Sequence, residues 1–424
     1  MLTLRLRLAL MTGLVLAPVA CLLPPGSHSP VLPPASEDVE AGREAADGIG
    51  AFAAELYGRL ADKEGNLVIS PYSIDTALAM AAAGALGTTR EEMEKVLHLP
   101  AGDNLGPAYR TLTASVSRAA PAARSKTELS VANALWVQKG RPLKKDYLAL
   151  VREDFRAGLF EADFTDPGAA CRRINGWAEK ETRDRIKDLV PATALNRNTR
   201  LVLVNAVYFK AKWAAAFKPE NTKPDDFTLT SSKSIRTPFM HQRGEYVLQE
   251  EADLQVLRLP HDGEATAMYV LLPRKATGLV ALEEKLTPEA LARWTASRVK
   301  VPMSEVNVWL PKFKFTVPTE LTGMLQKMGL TEALTGGANF GGMTDRPEGV
   351  FINRVIHKAF VEVDEVGTEA AAATAVVGLA IAAPSPAPAR LVKEFRADHP
   401  FLFVIKHEAT GAVLFIGRVL DPTH

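Results

Sequence analysis

Few residues in this 424-residue chain have the types and spacing that catalysis needs. No serine occupies a Gly-x-Ser-x-Gly turn, and the chain contains no Gly-Lys-Ser/Thr phosphate loop. His407 and Glu408 are adjacent, but no second histidine stands four residues after His407, so the pattern of a zinc-protease helix is absent. We therefore expect a protein that is not an enzyme and that uses no metal and no cofactor.

Two weaker signals have simpler structural interpretations. Gly48, Gly50 and Ala53 match the loose dinucleotide-binding pattern, but a charged helix start precedes them where that motif requires a strand. His261 and Asp262 lie at the end of a predicted strand, where we expect a solvent-exposed turn. Neither signal predicts a binding site.

The most informative stretch is an alanine-rich run near the C-terminus, residues 365–375. By helix propensity alone, its four consecutive alanines favour a short helix. With a period of two residues, however, one face carries only small or modest uncharged side chains: Thr368, Ala370, Ala372, Thr374 and Val376. A segment with such a face can remain an exposed loop or enter a sheet as a buried strand.

The elements that would position this run change in kind along the chain. Helical periodicity dominates the first half, whereas apolar segments rich in β-branched residues dominate the second. The predicted helices are residues 71–85, 88–97, 147–155 and 169–182. The predicted strands are residues 201–209, 246–259, 267–272, 305–315 and 351–363. Helices followed by strands, without regular alternation, predict an α+β fold with mixed, mainly antiparallel sheets.

The composition predicts one large domain over residues 46–424. Hydrophobic residues make up 47% and charged residues 23%, which is enough to build a large core. Fifty basic and 49 acidic residues give a net charge of +1, which argues against a nucleic-acid-binding surface. Cys21 and Cys171 are the only cysteines, too few for a disulfide framework.

The first 20 residues predict a signal peptide. Arg5 and Arg7 precede the apolar run 8–17, which is too short to span a bilayer as a helix. We therefore expect an exported protein, extracellular or periplasmic.

Cys21 and the residues after it predict how the domain is attached. Ala20 before Cys21 is similar to a bacterial lipoprotein cleavage site, with Cys21 as the lipidated residue, but Pro18 departs from the usual leucine and leaves simple secretion open. Residues 21–45 hold five prolines and predict a flexible tether. Contact with a membrane is expected only through a lipid anchor at Cys21.

Six separated motifs resemble those of the serpin family. They are residues 66–74 (NLVISPYSI), 174–177 (INGW), 201–210 (LVLVNAVYFK), 310–313 (LPKF), 357–360 (HKAF) and 397–403 (ADHPFLF). Each motif is weak alone, but their order and spacing are specific together and span nearly all of the predicted domain. The resemblance, to a bacterial member of the family, implies the serpin fold, with about eight or nine helices and an exposed reactive loop near residues 367–392.

The resemblance implies a suicide-substrate inhibitor of serine proteases. In this family, a target protease attacks the loop and becomes acylated, and the first part of the loop then inserts into the main sheet as a new strand. The uninserted fold persists beforehand because the barrier to rearrangement is high. The implied partner is a serine protease in a covalent acyl complex, and we expect a monomer that binds no nucleic acid.

The resemblance also assigns the hinge of the loop. The hinge residues are Gly367, Thr368, Glu369, Ala370, Ala371, Ala372, Ala373 and Thr374. Their composition suits insertion, because an inserted strand must turn uncharged side chains inward. Glu365, two residues before Gly367, is similar to the acidic residue that inhibitory serpins usually have at that position. Asn339 departs from the family, which often has aspartate there. The alternative is a non-inhibitory serpin that acts as a binding or carrier protein.

Two structural sites follow from the same resemblance. Ser70, Ser73, Asn205 and His357 match the family's shutter, a polar cluster beneath the main sheet whose groups can exchange partners as strands separate. A static, fully paired core network is the alternative. Trp213 matches the breach, where the sheet opens, and an ordinary core tryptophan is the alternative.

Counting from Gly367 as the family does predicts a reactive bond between Ile381 and Ala382. The rival is the bond after Arg390, which would suit trypsin-like proteases. An inserted strand ending there would include or trail three prolines at 384–388, which lack the amide hydrogen that a central strand donates. We therefore expect the cut within residues 379–383, whose apolar side chains suit elastase-like or subtilisin-like proteases.

Overall fold

The computed structural model describes residues 36–119, 128–296, 301–367 and 391–424. The helices in this part are α1 (Ser36–Leu60), α2 (Pro71–Ala83), α3 (Gly87–Leu97), α4 (Leu105–Ala119), α5 (Lys145–Glu153), α6 (Pro167–Glu181), α7 (Leu279–Glu284), α8 (Pro288–Trp294) and α9 (Thr322–Lys327). The strands are β1 (Leu67–Ile69), β2 (Glu128–Gln138), β3 (Gly158–Ala162), β4 (Leu201–Lys210), β5 (Lys223–Thr230), β6 (Lys233–Glu250), β7 (Leu254–Pro260), β8 (Thr266–Pro273), β9 (Met303–Pro311), β10 (Phe313–Glu320), β11 (Ile352–Val363), β12 (Lys393–Arg396), β13 (Phe401–His407) and β14 (Val413–Val419). The predicted α+β class is confirmed. Within the described residues, no helix is both long and apolar enough to span a membrane.

The strands form two sheets. The larger has the order β1-β14-β13-β8-β7-β6-β9-β12, with β5 paired to β6. The smaller, which we call the main sheet, has the order β10-β11-β4-β2-β3. In the main sheet β11 pairs directly with β4, and these two strands are parallel.

The main sheet is buried on both faces. Leu203 and Val207 of β4 belong to the large core that includes α1 and α2, whereas Val204 and Ala206 belong to a second core beneath α6. Because neither face meets water, β4 is apolar along nearly its whole length instead of alternating.

Helix α2 lies beneath this sheet and begins at a strong capping signal. The Ser70 side chain accepts a hydrogen bond from the Ser73 amide, and Pro71 occupies the first helical position. Nearly every residue of α2 is buried. The cap therefore brings two serines to a fixed place under the strands.

Several predicted boundaries were wrong. Helix α1 begins at Ser36, within the predicted tether, because Ala41 and Ala45 pack in the core. Strand β2 was missed. The predicted strand 246–259 is the end of β6 and most of β7, joined by a turn, and 305–315 is parts of β9 and β10, which join different sheets. Gly48 lies inside α1, where a Cβ atom would stand 2.2 Å from the His98 carbonyl oxygen, so it is a helix-packing residue.

Candidate functional site

One row of side chains crosses the middle of the main sheet. In the strand register, Asn133 of β2 stands opposite Asn205 of β4, and Asn205 stands opposite His357 of β11. Ser70 and Ser73, at the start of α2, lie against this row, and all five side chains are buried. We call these five residues the polar cluster.

His357 joins the sheet to α2 through both ring nitrogens. The Ser70 backbone N–H donates to Nε2 of His357 at 3.1 Å, so Nε2 is an acceptor and carries no proton. Nδ1 therefore carries the proton and donates a hydrogen bond to Asn205 Oδ1. Burial lowers the pKa of His357 from 6.5 to about 3, so the ring is neutral near pH 7.

The amide of Asn205 extends the network to β2. Its Nδ2 donates to Ser73 Oγ and to Asn133 Oδ1, and Ser73 Oγ donates to the same Asn133 Oδ1 at 2.7 Å. The bonds thus cross both the β2–β4 and the β4–β11 boundaries. Separating β4 from β11 must break the bond between Asn205 and His357.

The structure brings together the four residues that the resemblance assigned to this cluster and adds Asn133. The sequence contains a signal that could have found Asn133. It stands among Val131, Ala132, Ala134 and Leu135, and a lone amide in an apolar strand needs a buried partner.

A tight turn, residues 364–367, reverses the chain directly after β11. The Asp364 amide donates to the Gly367 carbonyl oxygen at 3.1 Å, and the Gly367 amide donates to the Asp364 carbonyl oxygen at 3.2 Å. Asp364 Oδ1 also accepts from the amides of Val366 and Gly367. We call these four residues the hinge turn.

Gly367 places the end of the hinge turn against the strand next to β11. Its φ of +117° is a conformation that L side chains rarely adopt. A Cβ atom there would lie 2.1 Å from the Ala211 carbonyl oxygen, one residue beyond β4. The hinge turn therefore ends between the terminus of β11 and the terminus of β4, at a position that only glycine fits.

Trp213 holds the hinge turn from the β4 side. Its backbone amide donates to the Val366 carbonyl oxygen at 3.0 Å, and its indole N–H donates to the Asp364 carbonyl oxygen at 2.9 Å. The indole stacks on the His261 ring with centroids 5.0 Å apart. The expected exposed turn at His261 was wrong, because this ring is buried between Trp213 and Phe209.

Glu365 ties the hinge turn to the neighbouring strands. Its carboxylate accepts hydrogen bonds from Lys312 Nζ at 2.7 Å and from Thr222 Oγ1 at 2.8 Å. Burial alone would raise the pKa of Glu365, but these two bonds, a backbone hydrogen bond and the Lys312 charge together hold the pKa below its usual value. The Phe217 amide also donates to the Glu365 carbonyl oxygen. The turn is therefore anchored on both sides.

Three groups of predicted residues lie outside the described part of the chain. They are the hinge residues 368–374, the reactive bond between Ile381 and Ala382, and Cys21.

A family model described as serpin (serine protease inhibitor) matches residues 47–422. An uncharacterised serpin-like protein from Thermococcus kodakarensis is 40% identical over 379 residues, which cover 88% of this chain and 85% of the relative. The leukocyte elastase inhibitor from Bos taurus is 35% identical over 381 residues, covering 88% of this chain and 97% of that protein. Among solved structures, Serpin48 from the insect Tenebrio molitor matches with a TM-score of 0.78 at 30% identity, covering 89% of this chain and 98% of that one.

Proposed function

The chain belongs to the serpin family, and on that premise we propose that it inhibits extracellular serine proteases as a suicide substrate. One observation carries the proposal. The hinge turn reverses the chain direction between the end of β11 and the end of β4. These two strands are parallel and pair directly with each other. A strand entering there would be antiparallel to both neighbours, which is the more stable arrangement.

The register of the hinge turn determines which loop residues would meet which residues of β11. Gly367 pairs with Asp364 in an antiparallel bridge. Continued residue by residue into an inserted strand, this register would place Thr368 opposite Val363 and Thr374 opposite His357. Ala370 and Ala372 would then stand opposite Val361 and Ala359.

The facing residues of β11 explain why this hinge composition suits insertion. Val363, Val361 and Ala359 are buried in the large core. Directly opposed residues of an antiparallel pair share a face, so Thr368, Ala370 and Ala372 would turn into that core. Glu369 would instead stand beside Glu362, which is partly exposed and pairs with Lys314 at 3.1 Å. Glu369, the one charged residue of the hinge, would thus stay on the more solvent-exposed side of the sheet.

Thr374 would arrive at the polar cluster. Insertion separates His357 from Asn205 and leaves the His357 N–H without its acceptor. A threonine hydroxyl both donates and accepts hydrogen bonds, so Thr374 can bond to His357 from the new strand. The Thr374 hydroxyl would thus replace Asn205 as the partner of His357, and the buried His357 N–H would not be left unpaired.

The chemical step belongs to the protease. Its serine oxygen attacks the carbonyl carbon of Ile381, the bond to Ala382 breaks, and the new amino group of Ala382 leaves with the proton that the protease's histidine returns. The ester links the protease to Ile381. An inserted strand of about 14 residues spans about 46 Å, so insertion carries the protease from the hinge-turn end of the main sheet to the opposite end and traps the acyl complex.

The apolar side chains at 379–383 support a target with an elastase-like or subtilisin-like pocket. The relative from Bos taurus is named for its inhibition of an elastase, which is consistent with that class. The predicted signal peptide supports an exported site of action, either by simple secretion or with a lipid anchor at Cys21.

The test is a denaturing gel after incubation with pancreatic elastase. We expect a complex that survives denaturant. Two variants form a matched pair, because each puts arginine in place of alanine. Ala370→Arg turns the charge into the large core and should convert the inhibitor into a cleaved substrate, whereas Ala373→Arg would stand opposite the partly exposed Lys358 and should still form the complex.

Two outcomes would count against the proposal. If the wild type is cleaved without a stable complex, the chain is a non-inhibitory serpin that binds or carries a partner. If Ala370→Arg forms as much complex as Ala373→Arg, the loop does not insert in this register.

A further inference from the structure

A cleft of about 490 Å³ opens at the end of the main sheet opposite the hinge turn. It lies where β2 ends and β4 begins, and the Gln138 amide donates to the Arg200 carbonyl oxygen there at 2.9 Å. The start of β11 is tied to the same place, because Asn353 Oδ1 accepts from the Arg200 amide at 2.7 Å. The ends of three strands therefore meet at this cleft.

The cleft gathers positive charge from three segments of the chain. Lys139 and Arg141 follow β2, Arg200 precedes β4, and Arg346 precedes β11. Glu348 is the one carboxylate in the lining. Across the described part of the chain, none of these four cations has a carboxylate within 4.0 Å, whereas other arginines, such as Arg243, do.

Asp163 is a further carboxylate near this group, and it interacts electrostatically with Lys139. Its Oδ1 already accepts hydrogen bonds from Thr165 Oγ1 at 2.6 Å and from Gln138 Nε2 at 3.3 Å. The positive charge of the cleft is therefore only partly compensated by the protein itself.

Backbone carbonyls orient two of the guanidinium groups. Arg141 Nη1 donates to the Arg346 carbonyl oxygen at 2.8 Å, and Arg200 Nη1 donates to the carbonyl oxygens of Arg197 and Thr199, each at 2.9 Å. A guanidinium has five N–H donors, so each fork keeps donors beyond those bonds. The side chains are fixed before a ligand arrives, which lowers the entropic cost of binding one.

We propose that this cleft binds a compact, multiply charged phosphate compound. A cleft lined by one sign of charge concentrates ligands of the opposite sign, and guanidinium forks match the geometry of phosphate oxygens. The volume accommodates a few linked phosphate groups. Such a ligand would join the ends of β2, β4 and β11 at the far side of the main sheet.

Calorimetric titration with tripolyphosphate at constant ionic strength tests the proposal. We expect one site per chain with a Kd below about 1 mM, as several charge-assisted bonds would give. Lys139→Ala and Arg346→Ala should each weaken binding by about tenfold, and Glu348→Gln should tighten it several-fold by removing the opposing charge. Arg59→Ala is the matched control, because it removes an exposed arginine of α1 outside the cleft and should leave the Kd unchanged.

Three results would overturn the proposal: no saturable binding up to about 10 mM, an equal loss for Arg59→Ala and Arg346→Ala, or no tightening with Glu348→Gln. Melting curves of the variants without ligand show whether each is folded. None of these measurements involves a protease, so their outcome is independent of the inhibitory function.

Discussion

His357 connects α2, β4 and β11 because its two ring nitrogens have opposite roles. Nε2 accepts from the Ser70 amide and Nδ1 donates to Asn205. A second proton would place an N–H donor against the Ser70 N–H donor. The neutral ring is therefore a condition for the hydrogen bond between β11 and the start of α2.

The closed main sheet should lose stability in mild acid. The pKa of His357 is about 3 when folded and about 6.5 when unfolded, so the unfolded chain binds the proton first. The stability that the neutral His357 ring contributes is complete above pH 6.5. It is lost as the pH falls toward 3, at about 1.4 kcal/mol per pH unit. Chemical unfolding at pH 7.5 and 5.0 measures the loss, and His357→Asn should remove about 2 kcal/mol of it.

His261 has a pKa depressed to the same extent by burial and should keep the remaining acid sensitivity in that variant. His98 is the control, since its ring is partly exposed and pairs with Glu55 on the surface. A pH dependence that is the same in His357→Asn as in the wild type would contradict the assigned role.

Thr319 offers a second test at the residue scale. It stands opposite His357 in β10, and its buried Oγ1 has no hydrogen-bond partner among the described residues. Thr319→Val keeps the shape and removes the unpaired hydroxyl, so it should stabilise the protein by about 1 kcal/mol. Thr266→Val is the matched control, because the equally buried Thr266 hydroxyl bonds to His261 at 2.9 Å and its loss should destabilise. The free energies of unfolding of the two variants provide the test. A destabilised Thr319→Val would mean that the Thr319 hydroxyl does have a hydrogen-bond partner.

The hinge turn is the element on which insertion depends. Gly367→Ala should destabilise it by at least about 2 kcal/mol, because the new methyl group adds left-handed strain and meets the Ala211 carbonyl oxygen. Hydrogen exchange at the Trp213 and Phe217 amides, which donate to the turn, should accelerate. Gly349→Ala is the control for backbone strain alone, since Gly349 also has a positive φ but open space around its Cβ position, and it should lower the free energy of unfolding by less. Equal losses of unfolding free energy in the two variants would mean that the contact with Ala211 contributes nothing.

Elements with a strong local signal were predictable, and elements set by long-range pairing were not. Helix α2 and strand β4 follow from the cap at Ser70 and a continuous apolar run. The break at Lys312 was missed because the chain leaves one sheet and enters the other there, with no change in apolar content. His261 was misjudged for a related reason: its burial depends on Trp213, which is 48 positions earlier in the sequence (261 minus 213).

At the scale of the whole molecule, the account rests on two arrangements of the main sheet. In the described arrangement, β4 and β11 are adjacent, and the polar cluster and the hinge turn hold them at the middle and at one end. In the proposed second arrangement, the loop lies between them as a sixth strand. The second arrangement replaces the one interface between β4 and β11 with two antiparallel interfaces and buries the inward face of the hinge, so it should be the more stable one.

Melting curves before and after a single cut in the reactive loop test this claim most directly. Each kcal/mol gained raises the Tm of a large domain by roughly 2 °C, so strand insertion should raise it by about 10 °C or more. Mass spectrometry of the released peptide should show that it begins at Ala382. The Ala370→Arg variant, cut at the same bond, should show little increase in Tm. Equal melting temperatures for the intact and cleaved wild type would contradict loop insertion and with it the proposed inhibitory mechanism.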